Sequence, residues 1–277
     1  MDFEKIEKEL INGKVLYLFC DTETTGVEPY PNSRSNWKRD RILDIYLGFY
    51  TYNKSTKKFS LISEFHNYIN PFKAKREELE KIQSVDKIGD DTVSVHGITK
   101  NFLEGSAPLK GSDFKLSTPA KQFKEHTFKL LNYIYNLSNK HPMKIVFVAY
   151  NSDFDIKFID SEMELVYNEK KELCSFLQIN MPVWDPYKFA KKINKINQKY
   201  YGKKKFTSLN LDALKKIYNI NTPRQIHGAK VDTLIMIDII EKILLEINHD
   251  PLFKPTNHIY NLTPGCEFKT GFNPKTE

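Results

Sequence analysis

Three cysteines stand in 277 residues, and Cys20, Cys174 and Cys266 lie far apart with no CxxC pair among them. That scarcity argues against a zinc knuckle or a disulfide framework, and it fits a reducing cytoplasm. No apolar run reaches the roughly eighteen residues that cross a bilayer, so no membrane partner is expected. The opening stretch carries Asp2, Glu4, Glu7 and Glu9 where a secretory signal would be cationic and then apolar, so the chain should stay in the compartment that makes it. Internal repeats are also lacking. Acids are missing from one long stretch: between Asp185 and Asp212 there is none, while Lys188, Lys191, Lys192, Lys195, Lys199, Lys203, Lys204 and Lys205 alternate with Phe189, Tyr200, Tyr201 and Phe206. A lysine run can be a plain solvated face, but with aromatics beside it the pattern leans toward phosphate backbones and stacked bases. The formal net charge of +7 points the same way.

What is present reads as a soluble globular protein, with 40% hydrophobic and 28% charged residues. The chain is organised around residues 15–26, an apolar run rich in β-branched and aromatic side chains that ends in Asp21-Thr22-Glu23-Thr24-Thr25-Gly26. Residues 15–20 read as a buried strand. If it stays extended for three more residues, Asp21 and Glu23 share one face and Thr22 points away. Two anions that close need a cation, and carboxylate oxygens suit Mg²⁺ or Mn²⁺. Without such a cation the pair would be a solvated strand end.

Residues 27–40 read as a loop, 41–52 and 57–69 as antiparallel strands joined by a turn at 53–56, and 73–83 as a short charged helix. A loop at 105–118 precedes an amphipathic helix expected over 119–137. Residues 143–150 form a second strongly apolar strand, Asn151-Ser152 a cap, and 153–166 a helix. A fifth strand over 176–184, a lysine-rich helix, a loop at 201–207 and a helix over 208–218 follow. Residues 231–247 carry apolar side chains at a helical period. From 249 to 277 prolines interrupt everything, so a domain over 1–248 with an irregular tail is expected. The alternation of strands and helices is α/β, a class that collects its binding atoms at the carboxyl ends of strands.

Acids therefore come from three separated segments: Asp21 and Glu23, then Asp155 after the second apolar strand, then Asp232 on the last helix. His227 precedes Asp232 by five residues, about 140° away on a continuous helix, so it is expected on a mobile loop ahead of it, where Gly228 breaks the run. Asp153 competes with Asp155 by local position alone. Four carboxylates and an imidazole are what two-metal phosphodiester hydrolysis requires.

Asp-Thr-Glu-Thr-Thr-Gly (21–26), Val-His-Gly-Ile-Thr (95–99), Asn-x-x-Phe-Asp (151–155) and His-Gly-Ala-x-x-Asp (227–232) together resemble the ordered motifs of the DEDDh 3′–5′ exonucleases, the DnaQ-like family, over about residues 14–247. Within that family the likeness runs toward the proofreading epsilon subunits of bacterial DNA polymerase III. The resemblance implies a ribonuclease-H-like mixed five-stranded sheet flanked by helices, and release of nucleoside 5′-monophosphates from a 3′ end. It assigns two divalent cations, Mg²⁺ or Mn²⁺, to Asp21, Glu23, Asp155 and Asp232, with His227 as general base. His96 would hold the terminal nucleotide and Phe154 would pack near it. Thr22, Lys203, Lys204 and Lys205 are further candidate substrate contacts. Tyr150 departs from the family, which often has histidine there. Single-stranded DNA or RNA 3′ ends are the implied substrate, with a DNA polymerase subunit as a candidate partner. An RNA-trimming ribonuclease and a non-catalytic nucleic-acid-binding or scaffold module are the alternatives.

Overall fold

The computed structural model describes residues 1–30, 39–73, 88–170, 181–223 and 227–249. The expected charged helix over 73–83, the first part of the expected fifth strand, the middle of the 27–40 loop and the tail beyond 249 lie outside these residues.

A short helix, α1 (Phe3–Ile11), is N-capped by the Asp2 carboxylate on the Lys5 N–H and buries Ile6 and Leu10. Strand β1 (Leu16–Thr24) then runs through the centre of a five-stranded sheet ordered β3-β2-β1-β4-β5. Its neighbours are β2 (Ile42–Asn53), antiparallel, and β4 (Ile145–Val148), parallel; β3 (Lys58–Tyr68) pairs antiparallel with β2 and β5 (Val183–Trp184) parallel with β4. This is the ribonuclease-H-like mixed sheet.

The period-2 alternation of β1 divides the core. Leu16, Leu18 and Cys20 face one apolar cluster with α4 (Thr127–Lys140) and α5 (Asp153–Lys170), through Leu131, Ile134, Phe158 and Met163. Tyr17 and Phe19 face the other, with α6 (Pro186–Tyr201), α7 (Leu211–Ile217) and α8 (Ala229–His249), through Phe189, Leu214, Ile235 and Ile239. A smaller cluster joins Leu43 to Ile98, which lies between α2 (Asp90–His96) and α3 (Lys100–Leu103), and to Phe102 of α3.

The helix expected over 119–137 starts at Thr127 and runs on to Lys140. Lys121 explains the late start: it bridges Ile69 at the end of the sheet and its carbonyl accepts the Asn70 N–H, so its backbone is extended. Strand β4 is shorter than its apolar run because Met143 and Asn151 take left-handed φ values of 64° and 60° on either side. Helix α7 begins at Leu211 because the Asn210 side chain caps the Ala213 N–H. Among the described residues no helix is long and apolar enough to cross a membrane.

Candidate active site

The expected alternation at the end of β1 is present. Thr22 is buried on one side and Asp21 and Glu23 are half-buried on the other, toward α8. Between Glu23 and Thr24 the β1–β2 register shifts, a bulge that turns the strand end beside these acids. The glycine closing the motif is needed for space. A Cβ on Gly26 would lie 2.3 Å from the Asp40 carboxylate, which accepts the Thr25 hydroxyl and the Glu28 N–H and so fastens the turn.

Asp155 lies in the first turn of α5 and is buried, with one oxygen accepting the Thr22 hydroxyl at 2.8 Å. Its other oxygen is buried with no hydrogen-bond partner among the described residues. Burial pushes this carboxyl up to about 7, against the lowering effect of the Thr22 hydroxyl and of backbone N–H groups. Asp21 is raised well above the usual range, first by burial and then by the charges of Asp155, Glu23, Asp232 and Asp44. Asp153, the local rival to Asp155, is turned to Lys188, 3.0 Å away.

Asp232 sits in the first turn of α8, and His227 just before that helix. The His227 Nδ1 is 3.1 Å from an Asp232 oxygen, and its backbone N–H donates to the Val95 carbonyl at 3.1 Å. His227 thus lies ahead of the helix, as expected, and these two contacts hold it there. Ligand atoms of Glu23, His227 and Asp232 all lie within 4.8 Å of one another. Acids from β1, α5 and α8 therefore converge, and they repel one another until a cation intervenes. The buried, unpartnered Asp155 oxygen and the raised Asp21 fit a site for hard divalent ions.

Other expected contacts have different roles here. His96 is buried; its Nδ1 accepts the Ile98 N–H at 3.0 Å and its Nε2 donates to the Thr24 carbonyl at 3.2 Å. Burial lowers it to about 4, so the ring is neutral and braces the end of β1. The Thr22 hydroxyl positions Asp155. Lys205 is taken up by Glu246 of α8 at 2.5 Å, whereas Lys203 and Lys204 are exposed. Phe154 is half-buried in the first turn of α5 and packs on Phe158 with ring centroids 4.7 Å apart.

Two positioning acids were missed. Buried Asp185 accepts the N–H groups of Asn151 and Ser152, which launch α5, and those of Tyr187 and Lys188, which open α6. Its sequence signal was Asp-Pro at a helix start. Asp44, fully buried on β2, accepts the Ala229 N–H at 3.1 Å and bonds His66 at 2.9 Å, which fixes the start of the helix that carries Asp232. A lone acid inside an apolar strand was its signal.

The chain is 28% identical over 239 residues to the DNA polymerase III subunit epsilon of Buchnera aphidicola subsp. Acyrthosiphon pisum, covering 85% of this chain and 75% of that protein. It is 27% identical over 255 residues to the subunit of the same name from Rickettsia typhi, covering 90% and 83%. These likenesses, together with the convergence of acids at the end of β1, support a DnaQ-like 3′–5′ exonuclease. No protein-family profile matches it. Similar solved structures include a 3′-exonuclease described in 3′-end recognition of a histone mRNA stem-loop, with 13% identity, a TM-score of 0.49 and coverage of 84% of this chain and 83% of that one. The RNase domain of the yeast Pop2 protein has 14% identity, a TM-score of 0.46 and coverage of 90% and 84%. Residues 21–26, 95–99, 151–155 and 227–232 lie together around the end of β1, through Thr22 with Asp155, His96 with Thr24, and the His227 N–H with Val95.

Proposed function

We propose that the protein removes nucleoside 5′-monophosphates stepwise from the 3′ ends of single-stranded or frayed DNA, using two divalent cations, Mg²⁺ or Mn²⁺, held by Asp21, Glu23, Asp155 and Asp232. The observation that carries this reading is the convergence of those acids with His227 beside them. Bound there, divalent ions supply an activated water and charge stabilisation for the departing oxygen. His227 accepts the proton of the attacking water as the new bond forms to the phosphorus of the last linkage and the bond to the preceding 3′ oxygen breaks. Asp232, 3.1 Å from its Nδ1, orients that ring. Thr22 and Asp185 hold Asp155 in place, and Asp44 holds Asp232. The preference for DNA is supported by relatives named as DNA polymerase III subunits, and a polymerase is the partner class that this reading implies.

The test is product analysis with matched DNA and RNA oligonucleotides in Mg²⁺ or Mn²⁺. Nucleoside 5′-monophosphates leaving the 3′ end, faster from DNA and fastest from unpaired or mismatched ends, are expected. Release of no mononucleotide from either polymer overturns the reading, and faster release from RNA overturns its DNA part. His227→Ala should lower kcat by about 10²- to 10⁴-fold with oligonucleotide affinity retained.

A further inference from the structure

Beyond the carboxyl ends of β4 and β5 lies an open groove of about 640 Å³, lined in part by Tyr150, Tyr187, Lys204, Thr207, Ser208 and Asn210. It opens at the same end of the sheet as the acids of β1, since β4 runs parallel to β1. Asn151 also lines it, four residues ahead of Asp155, and the Asn151 N–H is held by Asp185 at 3.0 Å. The Tyr150 and Tyr187 rings meet edge to face with centroids 5.8 Å apart, and the Tyr150 hydroxyl donates to the Leu209 carbonyl. Lys191 places its ammonium 6.0 Å from the Tyr187 ring centroid, and Lys204 is exposed at the rim. None of the lining residues is an acid.

We propose that this groove binds the unpaired strand immediately 5′ of the nucleotide being removed, an inference that rests on the exonuclease reading and adds the path of its substrate. The direction follows from the two flanks of the centre. On the β2 side, among the described residues, Thr25 is bonded to Asp40 and buried His96 packs its ring against the Thr24 carbonyl, so the end of β1 is occupied there. On the β4 side the groove is open, and a polymer that keeps all but its last unit needs an open exit. Its chemistry suits single-stranded nucleic acid of any sequence. The tyrosine faces take bases, the lysine takes a phosphate, and the hydroxyl and amide side chains of Thr207, Ser208 and Asn210 bond to the backbone.

Hydrolysis of a DNA dinucleotide and a decanucleotide, with binding of a labelled decanucleotide in Ca²⁺ followed by fluorescence anisotropy, tests this. The wild-type protein should prefer the longer strand. Tyr187→Ala and Lys204→Glu should each shrink that preference by about tenfold, through KM rather than kcat, and weaken decanucleotide binding by a similar factor, whereas Lys204→Arg retains both. Unchanged length preference and affinity in both variants overturn the groove. If the wild-type protein releases no mononucleotides, the exonuclease reading fails by itself. The anisotropy series then still decides whether the groove holds a strand.

Discussion

Helix α5 carries two buried acids, Asp155 and Glu162, two turns apart and therefore within about 20° of each other around the helix axis. Both face the sheet, but their partners differ. Glu162 meets the Arg41 guanidinium through two hydrogen bonds of 2.7 and 2.8 Å and also accepts the Ile42 N–H, so its charge is matched where it is buried. Asp155 receives one hydroxyl and faces the acids of β1. The pair at Glu162 anchors α5 to the start of β2, whereas the cluster at Asp155 sets like charges together that a divalent cation would relieve. The difference teaches that burial of charge is structural where a fixed cation answers it and functional where the answer must come from outside.

The strongest way to break this contrast is to remove one charge from each end. Asp21→Asn should abolish mononucleotide release, by about 10³-fold or more, while leaving the metal-free protein as stable as wild type or more so, because a like charge has gone. Activity assays and thermal melts in chelator check the two halves, and a large loss of metal-free stability would show Asp21 to be structural. Glu162→Ala should do the reverse. Stranding Arg41 in a buried position costs about 3 to 5 kcal/mol of stability, read by urea unfolding. A neutral result there would mean that Arg41 finds water or another acid.

Much of this arrangement could be read from the chain because it is local. The face shared by Asp21 and Glu23 follows from the strand alternation of an apolar run. The helix after β4 follows from its cap region, and the buried α8 from its apolar period. What could not be read depends on contacts between remote residues. Thr22 reaches Asp155 across 133 positions, Arg41 reaches Glu162 across 121 and Asp44 reaches the Ala229 N–H across 185. The resemblance offered His96 for the terminal nucleotide and Thr22 was a further candidate contact; the hydrogen bonds of Thr22 to Asp155 and of His96 to Thr24 depend on the fold. The early start expected for α4 failed for a similar reason, since the backbone of Lys121 is taken by the end of the sheet.

Proton linkage sharpens the contrast at smaller scale. Asp155 is pushed up to about 7 in the fold against an ordinary value of 3.8, so it contributes stability that is complete below the ordinary value and lost as pH rises through about 7. The metal-free protein should therefore weaken across that window. Saturating Mg²⁺ or Mn²⁺ should restore about 2 to 3 kcal/mol above it and almost nothing near pH 4, where the raised Asp155 and Asp21 carboxyls already hold their protons. Thermal melts with and without chelator at several pH values measure this. A cation effect independent of pH would separate ion binding from these acids, and Glu162→Ala should leave the pH trend in place.

The smallest effect expected concerns the hydrogen bond that Asp155 receives from the Thr22 hydroxyl. Thr22→Val keeps the shape of the side chain and removes the donor, so kcat should fall by about tenfold, the value of one hydrogen bond to a charged group. The Thr22 hydroxyl lowers the Asp155 carboxyl, so its loss moves that group further up, and the acid limb of the pH–rate profile should shift to higher pH. Thr22→Ser retains the hydroxyl and should restore both kcat and the profile. A merely structural role would lower stability without moving the acid limb. If Thr22→Val keeps the wild-type rate and profile, Asp155 is held by α5 and Asp185 alone, and the Thr22 bond is incidental to the chemistry.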